Sequence, residues 1–191
     1  MPRFLWWIAA ALLANAPSVS LAAEPLAPGA LAKPGRVLML RHALAPGTGD
    51  PPNFRIGDCS TQRNLDAVGR AQAAALGKRM KQAGVTRARV YSSQWCRCLE
   101  TARLLGLGPV EELPALNSLY NRPESREENV AALRAFFAAL PADGAPVVLV
   151  THQFTIGEFT GGGTASGGGS VFQLNGTGTP RLLGAIATEG H

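Results

Sequence analysis

Residues 36–43 read RVLMLRHA and residues 147–153 read VVLVTHQ. Each is a short apolar run that stops at a histidine beside a polar residue, Arg41-His42 in one and Thr151-His152 in the other. Unbroken apolar runs of this length predict strands buried on both faces, as in parallel sheets. A third run, Arg89-Val90-Tyr91, leads into Ser92-Ser93, and 110–113 reads as a brief fourth strand. Helical spacing fills the gaps between them. The stretch 66–82 is Ala-rich, with Leu76 and Met80 in register and Gly84 as a stop. The stretch 95–105 places Leu99, Ala102 and Leu105 on one face before Gly106, and 127–140 repeats apolar residues at i, i+3, i+4 behind an acidic start. Two further strands are expected at 171–174 and 181–187. Helices alternating with apolar strands predict an α/β domain, a three-layer sandwich whose mostly parallel central sheet is flanked by helices.

Composition narrows the function classes. The chain has 191 residues, 46% of them hydrophobic and 16% charged, which suits one domain with a full core and excludes a disordered polyelectrolyte. The net charge of +5 invites a nucleic-acid reading. The basic residues are scattered, with no run longer than two, so no nucleic-acid partner is expected. Only 3 histidines are present, one of them the C-terminal residue, which argues against a multi-histidine metal site. No metal and no cofactor are expected.

The first 23 residues set Arg3 before an apolar run from Phe4 to Ala14, then small residues around Ser20, Ala22 and Ala23. That layout predicts a signal peptide over 1–23, and the apolar run is shorter than the roughly 20 residues a membrane span needs. The mature protein is expected to be secreted or periplasmic, with no stable membrane anchor after cleavage. Residues 24–35, with three prolines, read as a flexible lead-in to a domain over 36–191.

In open α/β sheets, ligands sit beyond the carboxyl ends of the strands. Arg41-His42, Ser92-Ser93 with Arg97, and Thr151-His152 all fall at such ends. Two guanidinium forks match the oxygens of a phosphoryl group. A neutral imidazole can attack phosphorus and carry the group covalently, while a second one helps hold the charge on its oxygens. This chemistry calls for no metal.

These residues resemble the histidine phosphatase superfamily, also called phosphoglycerate mutase-like. RHA at 41–43 is similar to its Arg-His-Gly signature, and SSQWCRCLETA at 92–102 to its Ser-Ser-Pro-Leu-x-Arg-Ala-x-Gln-Thr-Ala stretch. NLDAVGRAQA at 64–73 and VLVTHQ at 148–153 resemble its connecting helix start and the strand bearing its second histidine, in the family's order. The resemblance implies a phosphatase acting on a small phosphorylated substrate. His42 would be the phosphate-accepting nucleophile, Arg41 and Arg97 would bind the phosphoryl oxygens, and His152 would complete the pocket. It offers Gln153 and Arg63 as substrate contacts, and Ser92 or Ser93 as an added hydroxyl or a helix cap. It does not fit at one position. PALNSLY at 114–120 puts Ser118 where many family members carry the acid that protonates the leaving oxygen. Three explanations are open. Another acid substitutes, with Asp50, Asp58, Glu124 and Glu158 as candidates; or the substrate is a pyrophosphate, phosphohistidine or acyl phosphate that needs little protonation; or the pocket binds phospho-ligands without turning them over.

Cys59, Cys96 and Cys98 make an odd count for an oxidising compartment. Cys96 and Cys98 flank Arg97 at a helix start, where their side chains diverge, so they are not expected to pair. A Cys59–Cys96 bridge would tie the long 43–63 loop to the segment bearing Arg97 and leave Cys98 reduced and buried; Cys59–Cys98 is the alternative. A redox role for Cys96 and Cys98 is a third functional reading. GGGTASGGGS at 161–170 lacks the Lys of a phosphate-cradling loop and reads as a flexible connection. Trp95 is expected to pack beside the pocket or the long loop. The oligomeric state is not written in the sequence.

Overall fold

A computed structural model describes residues 25–186. The expected signal peptide therefore lies outside the described residues. The strands are β1 (Arg36–Arg41), β2 (Arg89–Ser92), β3 (Val110–Glu112), β4 (Val147–Thr151), β5 (Gly169–Gln173) and β6 (Arg181–Ile186). They form one sheet in the order β3-β2-β4-β1-β5-β6. The first four are mutually parallel; β5 runs antiparallel to β1, and β6 antiparallel to β5. The helices are α1 (Ala67–Gln82), α2 (Cys96–Leu105), α3 (Arg126–Ala139) and α4 (Gln153–Thr160).

Strand periodicity builds the three layers. Leu38 and Leu40 of β1 join Val148 and Val150 of β4 in a cluster with Leu76 and Met80 of α1 and Ala102 and Leu105 of α2. Their neighbours Val37, Met39, Val147 and Leu149 point the other way, against Leu133 and Phe137 of α3 and Ile156 of α4. Both faces of β1 and β4 are covered, which is why their sequences are apolar without alternation. Phe137 is wholly buried in the second cluster, and its truncation to Ala costs about 3–5 kcal/mol for a site of this kind.

Local signals set where the helices begin and how closely they approach. The Asp66 carboxylate accepts the Gly69 N–H at 2.7 Å and caps α1. At Gly69 a Cβ would lie 2.0 Å from the Leu44 carbonyl, so glycine lets α1 press against the chain just after His42. Gly77 does the same for α1 on α2, where a Cβ would meet the Leu105 carbonyl at 2.2 Å.

Three local expectations are corrected. The described part of the lead-in is packed rather than flexible: Pro28–Ala32 is a 3-10 helix, Leu31 is fully buried in the first cluster, and Leu26 bridges to Ile186. The glycine-rich 161–170 stretch folds onto the end of β1 and feeds into β5. Gly167 N–H donates to the His42 carbonyl at 3.1 Å, and Arg41 N–H to the Gly168 carbonyl at 2.8 Å. Finally, α4 was not anticipated; it follows His152 directly and ends at Gly161, which takes the left-handed conformation.

Candidate active site

Sheet register brings the separated motifs together. Arg41 of β1 is level with Thr151 of β4, so His42 and His152 leave adjacent parallel strands side by side. His42 N–H donates to the Thr151 carbonyl at 3.0 Å, and Ser93 N–H to the Val150 carbonyl at 2.9 Å, which adds the end of β2 to the same edge. The two imidazoles stand edge to face with centroids 5.5 Å apart. They line a cavity of about 250 Å³ together with Arg41, Arg63, Arg97, Asp50, Ser118 and Gln153.

The tautomer of His42 is fixed from both sides. Its Nδ1–H donates to the Ala43 carbonyl at 2.8 Å, and its Nε2 accepts from Arg97 Nε–H at 3.2 Å. A carbonyl only accepts and a guanidinium only donates, so Nε2 holds the lone pair. Burial, and then the Arg97 charge, push the ring's pKa down from the usual 6.5 to about 3. His42 is therefore a neutral imidazole with a nucleophilic nitrogen over most of the pH range.

His152 is oriented by a relay. Gln94 N–H donates to Asn117 Oδ1 at 2.9 Å, which identifies that atom as the oxygen. Ser93 Oγ–H donates to the same oxygen at 3.2 Å and faces His152 Nε2 at 2.9 Å, so Nε2 carries the proton and Nδ1 the lone pair. Burial and the neighbouring His42 hold the pKa of His152 well below its usual value. A dianion beside the ring would oppose that depression.

The guanidiniums carry the site's charge. Arg97 is 2% exposed, and its Nη1 pairs with Asp50 Oδ1 at 2.6 Å. Arg63 donates its Nε–H to the Gly49 carbonyl at 2.9 Å and its Nη1 to the Ala45 carbonyl. Arg41 donates Nη1 to the Thr164 carbonyl at 2.7 Å, so the glycine-rich segment steers it; its buried Nε has no partner among the described residues. Burial, then Arg97, lowers the pKa of both Arg41 and Arg63. Three guanidiniums against one carboxylate, with both histidines neutral, leave a positive pocket that suits a dianion.

Asp50 supplies the only carboxylate lining this cavity among the described residues. Burial alone would raise its pKa, but hydrogen bonds from Arg97 and from Trp95 Nε1, the latter at 2.8 Å, bring it below the usual carboxylate value. It is an ionised acceptor with no proton to give. The other acids considered lie elsewhere: Asp58 pairs with Arg55 at the surface, Glu158 pairs with Arg126, and Glu124 is exposed on a neighbouring groove. Ser118 reaches the cavity wall, where its Oγ accepts from Tyr120 N–H at 3.3 Å.

Residues 37–121 match the family profile described as Histidine phosphatase superfamily (branch 1). Over that segment the chain is similar to the histidine phosphatase superfamily. The segment carries His42, Arg41, Arg63 and Arg97, while His152 lies beyond it. The fold is shared with solved structures along nearly their whole length. The SixA protein histidine phosphatase complexed with tungstate is 19% identical, with a TM-score of 0.60, covering 80% of this chain and 97% of that one. Mycobacterial glucosyl-3-phosphoglycerate phosphatase in complex with VO3 is 20% identical, with a TM-score of 0.54, covering 77% and 95%. No curated protein matches the chain.

The structure brings Arg41, His42, Arg63, Arg97, His152 and Gln153 to one cavity. Ser92 is not among them. It is the last residue of β2, fully buried, and its Oγ donates to the Ser93 carbonyl, so Ser93 is the serine that touches the site. Neither serine is the formal cap of α2; the first N–H of that helix, on Cys96, goes to Gln62 Oε1 at 3.0 Å. Cys59 and Cys96 form the disulfide, and Cys98 is free and buried, its thiol pushed up to about 12 mainly by burial. Its Sγ lies 3.4 Å from His152 Nε2, a packing contact for a thiol that stays protonated. No group of three or more His, Cys, Asp or Glu able to hold a metal occurs among the described residues, and no described helix is long and apolar enough to cross a membrane.

Proposed function

We propose that the protein is a metal-independent phosphatase that works through a phosphohistidine on His42. The observation that carries this reading is a neutral imidazole whose Nε2 lone pair sits among three guanidiniums at the carboxyl edge of the sheet. The phosphoryl oxygens draw the Arg97 N–H off His42 Nε2, and the freed lone pair attacks phosphorus in line; the N–P bond forms as the bond to the leaving group breaks and the leaving group keeps the electron pair. Arg41, Arg63 and Arg97 hold the equatorial oxygens, and Asp50 yields its place on Arg97 to them. Water then attacks phosphorus and Nε2 recovers its electron pair. Tungstate and VO3 in the two phosphatase complexes are oxyanions of the kind this pocket fits.

With Ser118 in place of an acid and Asp50 ionised, the leaving group departs without a proton from a side chain. Such a site favours phosphoramidates, acyl phosphates and phosphoanhydrides over alkyl esters, since general-acid help is worth roughly 10²–10⁴-fold to the latter. The same missing proton donor favours a second reading, a phospho-ligand-binding protein without turnover.

Purified protein is assayed on an activated aryl phosphate, acetyl phosphate and a phosphoramidate, with and without chelator. Turnover that survives chelator and disappears in His42→Ala supports the phosphatase; tungstate binding with no turnover of any substrate supports the binding protein; equal turnover in His42→Ala overturns the nucleophile. We further propose export to an oxidising compartment, supported by the N-terminal pattern and the Cys59–Cys96 bond. Cell fractionation with N-terminal sequencing tests it: a cytosolic product that still begins at Met1 contradicts it.

A further inference from the structure

We infer that the site takes a substrate whose leaving group is itself anionic, a carboxylate or a second phosphoryl group, and that Arg122 is the residue that selects it. The inference rests on the phosphatase reading and names the class of substrate. A second groove of about 370 Å³ adjoins the phosphoryl cavity, sharing Gly49, Asp50 and Tyr120 as a common wall, so a group bound there can be continuous with one bound at His42.

Arg122 is the cation of that groove. Its guanidinium lies over the rings of Phe54 and Trp95, 5.3 and 5.4 Å from their centroids. Those two rings stack on each other at 4.9 Å, and the Trp95 indole is anchored on Asp50. The face of the guanidinium is thus used in cation–π contact, while its donor edge pairs with no carboxylate among the described residues. A fork held on an aromatic platform loses little freedom on gripping a planar or tetrahedral anion. Two carboxylates line the same groove: Asp50, which is neutralised by its pair with Arg97, and Glu124, which is an exposed opposing charge. Its presence gives the reading a control of opposite sign.

Three non-hydrolysable probes separate the contributions by calorimetry: methylphosphonate, phosphonoacetate and methylenediphosphonate. Wild-type protein binds both two-anion probes more tightly than methylphosphonate. In Arg122→Ala that preference falls about tenfold, the size of one charge-assisted interaction. Arg122→Lys restores part of it, and Glu124→Gln increases it. Loss for phosphonoacetate alone assigns the groove to carboxylates; loss for methylenediphosphonate alone assigns it to phosphoryl groups. If the preference is absent in wild type, or is the same in Arg122→Ala and wild type, the inference is overturned while the phosphoryl pocket stands. If no probe binds wild-type protein, the phosphatase reading fails with it. Should Arg122→Ala not fold, Arg122→Gln keeps the side-chain length and answers the same question.

Discussion

The floor of the site and its mouth are held by different physics. The floor is made at strand ends: His42 and Ser93 are placed by backbone hydrogen bonds to β4, His152 follows β4 directly and accepts the first hydrogen bond of α4, and all three are almost completely buried. The mouth is made by loops. Gly47 to Asp50 on one side are tied by the Asp50 pairs and by Arg63 on the Gly49 carbonyl, with the disulfide nearby, and Ser118 to Tyr120 on the other by the Tyr120 N–H on the Ser118 hydroxyl. Tyr120 and the half-exposed Phe154 pack 5.5 Å apart at its rim. A sheet fixes positions through its register, whereas a loop needs a separate tie for each residue. Changes to the floor are therefore expected to act on chemistry, and changes to the mouth on stability and selectivity.

The largest effect is expected on the floor. His42→Ala should lower kcat for any hydrolysed substrate by at least about 10³-fold, because no other group replaces a nucleophile. Arg97→Lys should cost roughly 10²-fold, since an ammonium cannot give the phosphoryl oxygens the two-pronged grip of the guanidinium fork. Steady-state assays check both, and a kcat loss under tenfold for either breaks the comparison.

At the mouth, the paired substitution Cys59→Ser with Cys96→Ser should lower stability by about 3–4 kcal/mol, the chain-entropy value for cysteines 37 residues apart. Denaturant melts measure it, and kcat should change far less than in His42→Ala. Asp50→Asn links the two regions. It removes a negative charge beside three guanidiniums, so tungstate should bind about three- to tenfold more tightly while the melting temperature falls. Weaker binding would show that Asp50 contacts the oxyanion favourably.

The most gradual effect is a pH slope from the floor. His42 is neutral in the fold down to about 3 and has an ordinary value of 6.5 when exposed, so between these values the unfolded chain binds more protons. Stability should rise with pH across that window and level off above it. His42→Gln should reduce the slope and leave the part of the same sign that His152 contributes, which chemical denaturation at a series of pH values will show.

The sequence made the floor legible and much of the mouth illegible. Apolar runs ending at Arg41-His42 and Thr151-His152 carry a strong signal because a strand end is both a pattern and a place. The loop residues carry no period, so the sequence leaves Asp50 as one acid among four, and only the fold puts Arg97 and Trp95 on it. Ser92 and Ser93 are adjacent in sequence but differ by one position along the strand, and which hydroxyl meets His152 depends on the pleat. α4 escaped notice because QFTIGEFT is short, contains Gly157 and two threonines, and starts without a side-chain cap. The disulfide was narrowed to two pairings by the divergence of Cys96 and Cys98, and the fold selects Cys59–Cys96.

The central claim is covalent, and one measurement addresses it directly: rapid quenching of a labelled phosphoryl donor with wild-type protein, followed by peptide mapping at alkaline pH. The account predicts an acid-labile, alkali-stable phosphoryl group on the peptide containing His42, absent in His42→Ala. Turnover with the label on another residue, or turnover retained in His42→Ala, would contradict it.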